Sequence, residues 1–217
     1  MFDRKSTPES EVPRSFYFGD SYFAQTVLFS LASQIHTIHA FGVKNILEIG
    51  HGNGFVADFL NKSGFHVTTF DVNPELSPDI VGSVLEIDKH VEESQFDLVV
   101  CCEVLEHLPL SDFECAVEQI SRASSKYGLI TLPIARPFFF ELSGNIKLPK
   151  LSRRPFSLGL TRRAPTIYDG HQWEIGWKKE SSLSEIKQKL AKYFRVLSVK
   201  REIANPYHVF FRLEKPR

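Results

Sequence analysis

A glycine-rich segment at positions 48–54, with the sequence EIGHGNG, joins an apolar run to the start of a helical pattern. Glycine allows a tight backbone turn and lets a ligand approach the main chain, and the N–H groups of a following helix attract negative charge. The spacing differs from the GxGxxG fingerprint of dinucleotide-binding enzymes, because position 55 is phenylalanine. The segment therefore predicts a ligand-binding loop and argues against an enzyme that transfers hydride from a nicotinamide cofactor.

An acidic residue, Asp71, ends the next apolar run, FHVTTFD. A carboxylate about 20 residues after a glycine loop can accept hydrogen bonds from the two hydroxyls of a ribose. The carboxyl ends of parallel strands meet at one edge of a sheet, so the loop and Asp71 are expected to line one crevice for a nucleoside. The alternative is an ordinary glycine-rich turn beside an unrelated surface aspartate.

Two histidines in separate segments are the candidates for acid–base chemistry. His107 follows the apolar run 96–102, and His171 lies in the segment YDGHQWE at 168–174. An unperturbed imidazole titrates near neutral pH, so either side chain could accept a proton from a substrate or orient it. The alternatives are a structural role for His107, bonded to loop backbone, and simple packing for His171, as we expect for Trp173.

The elements that position these residues alternate between strands and helices. The pattern predicts strands at 44–50, 65–71, 79–82, 96–102 and 128–132, helices at about 20–40, 54–63, 112–125 and 180–193, and final strands at 194–202 and 206–214. Near-continuous apolar strands between amphipathic helices indicate a parallel sheet covered on both faces. We therefore expect an α/β fold with a Rossmann-like, doubly wound, seven-stranded sheet that is mostly parallel and ends in an antiparallel hairpin.

The chain is predicted to form a single domain, 1–217, with two additions. Residues 1–41 are a helical extension that begins with a loose lead-in at 1–15, and residues 133–177 are a basic and aromatic insertion that we expect to cover the substrate as a lid. Between 136 and 163 the insertion carries one acid, Glu141, four phenylalanines (Phe138, Phe139, Phe140, Phe156) and seven bases: Arg136, Lys147, Lys150, Arg153, Arg154, Arg162 and Arg163. This local charge favours an anionic substrate or an anionic membrane surface, and the alternative is a solvated loop.

The motif ExGxGxG at 48–54, the acid at 71 and the sequence FDLVVCCEVLEHLP at 96–109 resemble the class I S-adenosylmethionine-dependent methyltransferases. The resemblance covers about residues 40–132, and EVLEHL is similar to the small-molecule branch of that family. It implies S-adenosyl-L-methionine as the cofactor. The residues that it assigns to the cofactor are Glu48, Gly50, His51, Gly52 and Gly54 at the methionine part, Asp71 at the ribose, Val72, Ser83 and Val84 at the adenine, and Cys102 and Glu103 at the end of the fourth strand. Gly82-Ser83 stands where the family often has Gly-Asp.

The letters E-x-x-E-H, formed by Glu103, Glu106 and His107, also resemble the metal site of methyltransferases that modify the 3′ ends of small RNAs. His171 would then be a further ligand. The same letters occur in the ordinary fourth-strand motif, and the chain has no evident RNA-binding face, so we expect no metal site and no nucleic-acid partner. A metal-dependent RNA 2′-O-methyltransferase and a degenerate methyltransferase-like binding scaffold are the alternatives, although a scaffold has little reason to keep all of the cofactor loop.

Composition limits the remaining possibilities. Lys plus Arg and Asp plus Glu both number 26, so no overall field attracts nucleic acid, and 42% hydrophobic residues exclude wholesale disorder. Three cysteines without a CxxC pair indicate a reducing compartment, and no apolar signal segment precedes residue 20. We expect a cytoplasmic monomer or homodimer that methylates a small or lipid-linked, anionic acceptor, such as a phosphorylated sugar or a glycolipid. Oxygen is the first expectation for the acceptor atom, then nitrogen and carbon.

Overall fold

The computed structural model describes residue 4 and residues 7–135, 138–147, 154–161, 165–201 and 205–216. Its helices and strands follow the order predicted from the sequence, with one added pair of strands and one added short helix before residue 20. The strands are β1 (Asn45–Ile49), β2 (His66–Asp71), β3 (Ile80–Val81), β4 (Phe96–Cys102), β5 (Ser124–Pro133), β6 (Phe138–Ile146), β7 (Arg154–Thr161), β8 (Arg195–Arg201) and β9 (His208–Glu214). The α-helices are α1 (Arg14–Tyr17), α2 (Gln25–His39), α3 (Phe55–Lys62), α4 (Phe113–Ala123) and α5 (Leu183–Ala191).

Seven of these strands form one sheet in the order β3-β2-β1-β4-β5-β9-β8. The first five in that order pair in parallel, whereas β9 is antiparallel to both β5 and β8. The fold class predicted from the sequence is confirmed, including the antiparallel C-terminal hairpin. The strand order reverses between β1 and β4, and ligands of open α/β sheets bind outside the carboxyl ends of the strands at such a point.

Both faces of the sheet are buried against helices. This packing holds in place the strand ends that carry the site. Ile46, Leu98 and Leu129 pack on one side with residues of α2 and α3. Leu47 and Val99, the next residues along β1 and β4, pack on the other side with residues of α4 and α5. This alternation is the period of two expected for a strand between two layers of helices. Among the described residues, none of the helices is long and apolar enough to cross a membrane.

The beginning of the chain is more ordered than the loose lead-in expected at 1–15. A short 3-10 turn (Glu9–Glu11) and α1 lie against the sheet edge, with Val12 at 0% exposure. The Val12 carbonyl accepts a hydrogen bond of 2.7 Å from Asn73 Nδ2. An isolated buried residue such as Val12 produces no helical or strand periodicity, so its burial could not be predicted from the sequence pattern. The helix expected from residue 20 starts later, because a 3-10 turn (Asp20–Phe23) precedes α2.

The insertion at 133–177 contains a hairpin that the sequence analysis did not assign. Strands β6 and β7 form a separate two-stranded antiparallel sheet with Phe140 opposite Leu160 and Leu142 opposite Leu158. A period of two is visible in the sequence, because Phe140, Leu142 and Ile146 alternate with Glu141 and Asn145. Of the seven bases counted above, Arg136, Lys150, Arg153, Arg162 and Arg163 lie outside the described residues.

Candidate functional site

The glycine loop after β1 requires glycine for conformational and steric reasons. Gly50, Gly52 and Gly54 have φ angles of 72°, 55° and 76°, in the left-handed region where other residues are strained. A Cβ atom on Gly50 would lie 2.2 Å from Val104 Cγ2, much closer than two carbon atoms can approach. The main chain of residues 50–54, which we call the glycine cradle, therefore has no side chain at three of its positions. At Gly50 it lies directly against Val104, in the segment that follows β4.

Two carboxylates flank this cradle. Glu48 lies next to last in β1 and is buried, and its Oε2 atom has no hydrogen-bond partner among the residues that the structure describes. Burial raises the pKa of Glu48 to about 8, although the nearby His51 acts in the opposite direction. Asp71, also buried, ends β2, and its Oδ1 accepts a hydrogen bond of 2.9 Å from the Asn73 N–H.

His51 links the glycine loop to the end of β2. Its Nδ1 is 3.5 Å from Asp71 Oδ2, and its Nε2 is 3.3 Å from the carbonyl oxygen of Leu76. Burial alone would lower the pKa of His51, but the nearby Asp71, with smaller contributions from the Leu76 carbonyl and Glu48, outweighs it and raises the pKa above its usual value. The ring thereby ties the loop to the predicted ribose-binding acid.

The residues assigned to the adenine are distributed around the tip of β2. Val72, beside Asp71, is exposed at 38%, whereas Val84 is buried in the core below. The Ser83 hydroxyl accepts a hydrogen bond of 3.2 Å from the Leu85 N–H. Val72 presents an open apolar surface at this edge, and Val84 lies in the same core cluster as Phe70 of β2.

The end of β4 is held by partners from β5 and β9. Glu103 has a φ of 57°, its Oε1 accepts a hydrogen bond of 2.6 Å from Thr131 Oγ1, and its Oε2 is 2.9 Å from His208 Nε2. Burial favours the neutral acid, but His208 and Thr131 outweigh it and hold the pKa of Glu103 below its usual value. His208 Nδ1 in turn lies 2.6 Å from Ser30 Oγ in α2. Next to Glu103, Cys102 is half-buried, and burial raises the pKa of its thiol.

The two predicted catalytic histidines come together at the same edge of the sheet. The ring centroids of His107 and His171 are 4.9 Å apart. His107 Nδ1 is 3.0 Å from the Gly170 carbonyl oxygen, and His171 Nδ1 is 2.8 Å from Glu174 Oε1. Burial lowers the pKa of His107, although the nearby Glu9 acts in the opposite direction. The structure thus brings together the two segments that sequence reasoning had singled out separately.

A buried acidic layer lies beneath the histidine pair. Glu106 and Glu174 are both at 0% exposure. Glu174 Oε1 also accepts hydrogen bonds from the Tyr168 N–H at 2.7 Å and from Tyr207 Oη at 2.6 Å. Burial and the charge of Glu103 raise the pKa of Glu106 well above its usual value. The sequence offered no signal for the roles of Glu174 and Tyr207, because their contacts join separate parts of the chain.

The described residues 4 and 7–23, which we call the N-terminal cover, lie over this edge of the sheet. Glu9 Oε1 is 3.0 Å from His107 Nδ1, and Arg4 donates a hydrogen bond to the same carboxylate. Tyr17 lies beside the glycine loop, where a Cβ on Gly52 would be 3.7 Å from its ring. Sequence reasoning missed these residues, since it treated 1–15 as a loose lead-in and gave Tyr17 no role.

The geometry fits S-adenosyl-L-methionine. Glu48, a buried acid whose Oε2 has no hydrogen-bond partner in the described part of the chain, lies beside a main-chain cradle in which a side chain at Gly50 cannot be accommodated. An amino group and a ribose diol are suited to Glu48 and to Asp71, which stand at the ends of neighbouring strands.

Comparison with known proteins agrees with this description. Residues 22–155 match a family model described as "Methyltransferase domain". A ubiquinone biosynthesis O-methyltransferase, mitochondrial, of Schizosaccharomyces pombe is 36% identical over 84 residues, covering 32% of this chain and 31% of that protein. The corresponding enzyme of Xylella fastidiosa is 30% identical over 77 residues, covering 30% of this chain and 31% of its own. The chain thus matches about a third of the length of these curated relatives.

Solved structures with similar folds cover almost the whole chain. Magnesium protoporphyrin IX methyltransferase from Synechocystis PCC 6803, solved with bound SAM, has a TM-score of 0.60 at 12% identity and covers 100% of this chain and 99% of its own. The 1,6-didemethyltoxoflavin-N1-methyltransferase of Burkholderia thailandensis has a TM-score of 0.57 at 14% identity, with 94% and 87% covered. The family expected from the glycine loop and the β4 motif is confirmed: the chain belongs to the methyltransferase-domain family and has the class I methyltransferase fold.

Proposed function

We propose that the chain transfers a methyl group from S-adenosyl-L-methionine to a hydroxyl oxygen of a small acceptor. The observation that carries the proposal is the glycine cradle beside Glu48, whose buried Oε2 has no hydrogen-bond partner among the described residues, at the same sheet edge as the His107–His171 pair. S-adenosyl-L-methionine supplies a methyl group that its sulfonium charge has already activated. The protein then needs only to align the acceptor and to remove its proton.

In this proposal the cofactor lies across the carboxyl ends of β1, β2 and β4. The glycine loop, with Gly50, His51, Gly52 and Gly54, passes along the methionine part, and Glu48 pairs with its amino group. Asp71 accepts hydrogen bonds from the ribose hydroxyls, while Val72, Ser83 and Val84 form the adenine wall. Cys102 and Glu103 close the floor of the site at the end of β4.

The histidine pair is assigned to the acceptor. Gly170 and Glu174 hold the Nδ1 atoms of His107 and His171, which leaves the Nε2 atom of each ring as the available nitrogen. As the acceptor oxygen bonds to the methyl carbon, its proton passes to one of these nitrogens, and the electron pair of the broken carbon–sulfur bond remains on sulfur. The O-methyltransferase names of the curated relatives support oxygen as the acceptor atom.

Asp71→Asn tests the cofactor assignment. The substitution removes the charge that would accept the ribose hydroxyls, and we expect the affinity for S-adenosylhomocysteine to fall about 10- to 100-fold. Calorimetric titration measures the change, and the exposed Asp88→Asn serves as the matched control with unchanged affinity. If the wild-type protein binds no S-adenosylhomocysteine, the proposed function is wrong. If Asp71→Asn binds as tightly as the wild type, only the ribose assignment is wrong.

We further propose that the acceptor is anionic and lipid-linked, and that the insertion reaches it at a membrane surface. Cross-strand neighbours share a face of a sheet, so Phe140, Leu142, Leu158 and Leu160 form one apolar face of the β6–β7 hairpin, and all four are exposed. The surrounding sequence carries seven bases and one acid between positions 136 and 163. An exposed apolar face within a basic segment suits an anionic lipid surface, and from there the insertion would act as the lid over the acceptor.

Vesicle binding tests this surface. The wild type should sediment with phosphatidylglycerol vesicles and bind phosphatidylcholine vesicles more weakly, with the difference reduced by salt. The double variant Leu142→Ser/Leu158→Ser should lose about tenfold or more in vesicle affinity, because two exposed apolar side chains are removed. Leu197→Ser, at an exposed position of β8, is the control. Equal binding to both lipids, or none, contradicts the proposal.

A further inference from the structure

We propose that Ser30 and His208 are positioning residues of the cofactor site and act on it by holding the main-chain turn at Glu103. The inference rests on the proposed function, because Glu103 stands at the end of β4 in the floor assigned to the cofactor. Ser30 lies in α2 at 3% exposure, and both ring nitrogens of His208 already face partners. Any effect of these two residues on the cofactor must therefore pass through the residues that they contact.

Glu103 needs support because its main chain is strained. Its φ of 57° lies in the left-handed region, which a residue with a Cβ atom adopts only at a cost in free energy. The other non-glycine residues with positive φ in the described part of the chain are Ser77 and Ser94, which carry small side chains. A residue persists in such a conformation only where its surroundings hold it there. The contacts of the Glu103 side chain therefore have to stabilise this turn.

Both carboxylate oxygens of Glu103 are anchored to neighbouring strands. Oε1 accepts a hydrogen bond of 2.6 Å from Thr131 Oγ1 in β5, and Oε2 lies 2.9 Å from His208 Nε2 at the start of β9. The Glu103 N–H also donates to the Thr131 carbonyl oxygen at 3.3 Å. Thr131 thus holds the residue from the adjacent strand, and His208 holds it from the strand beyond.

The hydrogen bonds behind His208 assign the protons of its ring. Asn205 Nδ2 lies 3.2 Å from the carbonyl oxygen of Thr26, which can only accept, so this nitrogen is a donor. It also donates to Ser30 Oγ at 3.1 Å, which leaves the Ser30 hydroxyl hydrogen for His208 Nδ1 at 2.6 Å. With Nδ1 as the acceptor, the neutral ring carries its hydrogen on Nε2. Ser30 therefore selects the tautomer that donates to Glu103.

The turn at Glu103 sets the position of Val104, which touches the glycine cradle. A Cβ atom on Gly50 would lie 2.2 Å from Val104 Cγ2, so no spare room separates the two segments. A shift of the turn would move Val104 relative to the main chain that the cofactor is proposed to contact. Hydrogen bonds that begin in α2 and β9 thus reach the cofactor site without touching the cofactor.

Calorimetric titration of the full chain with S-adenosylhomocysteine tests the inference. His208→Leu removes the donor to Glu103, and we expect the affinity to fall about tenfold or more. His208→Gln places an amide nitrogen near the position of the imidazole Nε2 and should bind within about threefold of the wild type. Ser30→Ala should cause a smaller loss than His208→Leu, because the ring can still donate to Glu103. His66→Leu, at an exposed position at the start of β2, is the control with unchanged affinity.

A second background separates positioning from general destabilisation. Glycine adopts a positive φ without strain, so the turn in Glu103→Gly no longer needs its anchors, and this variant should keep measurable binding. Adding His208→Leu to Glu103→Gly should change the affinity by less than about twofold, because the two substitutions act through the same turn.

The outcomes distinguish this inference from the proposed function. Wild-type affinity in His208→Leu, or a further tenfold loss when His208→Leu is added to Glu103→Gly, overturns the positioning role and leaves the proposed methyl transfer standing. Complete loss of binding in Glu103→Gly also overturns it, because the carboxylate and not the turn would then be required. If the wild type binds no S-adenosylhomocysteine, the proposed function is wrong and the positioning role is wrong with it.

Discussion

Gly50→Ala is expected to abolish measurable binding of S-adenosylhomocysteine, whereas Gly42→Ala is expected to leave it unchanged. The two glycines have almost the same φ, 72° and 71°, so alanine at either position carries the same conformational strain of about 1–2 kcal/mol. They differ in surroundings, because a Cβ on Gly50 meets Val104 Cγ2 at 2.2 Å, while nothing lies within 4 Å of one on Gly42. The backbone of the cofactor loop must therefore move, which displaces the main chain that the nucleoside would contact.

A second substitution isolates the steric cause. Val104→Ala removes the Cγ atoms that meet the new side chain and leaves Val104 Cβ at 3.6 Å, an ordinary contact. The double variant Gly50→Ala/Val104→Ala should therefore regain nucleoside binding relative to Gly50→Ala, as measured by calorimetry, while its melting temperature stays below that of the wild type. Equal loss of binding in the Gly42 and Gly50 variants would show that general destabilisation, and not the clash, is responsible.

Glu48→Gln is expected to make the ligand-free protein more stable at alkaline pH. Burial raises the pKa of Glu48 to about 8, with Asp58 and Asp71 adding to the rise and His51 opposing it. Between the ordinary pKa of a glutamate and pH 8 the folded protein holds a proton that the unfolded chain releases. The wild type therefore loses stability as the pH rises through this interval, and glutamine, which has no proton to lose, does not.

Urea unfolding at about pH 5 and about pH 8.5 measures this difference. The free energy of unfolding of Glu48→Gln should gain about 3 kcal/mol on the wild type between the two pH values. Glu118→Gln, at an exposed position of α4, should follow the wild type at both. The same Glu48→Gln protein should bind the nucleoside more weakly, since the partner of its amino group is gone. Parallel pH profiles for all three proteins would refute the assignment of a neutral, buried Glu48.

The parts of the site that could be predicted from sequence are those in which chemistry follows local pattern. Glu48 and Asp71 could be placed because each lies at the end of a predicted strand, and the three glycines because they form a predicted turn. In each case a few consecutive residues are enough for the prediction. His107 and His171 were identified one by one as titratable groups in loops, but their distance of 4.9 Å depends on how the segment after β4 meets the segment before α5. No local sequence pattern predicts that these two segments come into contact.

The residues that were missed act across long stretches of chain. Glu9 reaches His107, and His208 joins Glu103 to Ser30, yet each is an isolated polar residue in its own segment. The strands β6 and β7 were missed for another reason, since the alternating pattern was present but the segment was interpreted from its composition as a basic and aromatic lid. Sequence thus predicted the sheet and the two edges of the crevice, while the partners of the buried charges required the assembled fold.

The chain of contacts from Ser30 through His208 to Glu103 has a consequence for folding kinetics. It joins the first long helix, strand β9 and the middle of the sheet, with a sequence separation of 178 positions between Ser30 and His208. Contacts of such sequence separation carry a large loop-closure entropy and form late in folding. During synthesis, the contacts that join Ser30, His208 and Glu103 therefore cannot form until β9 has emerged from the ribosome.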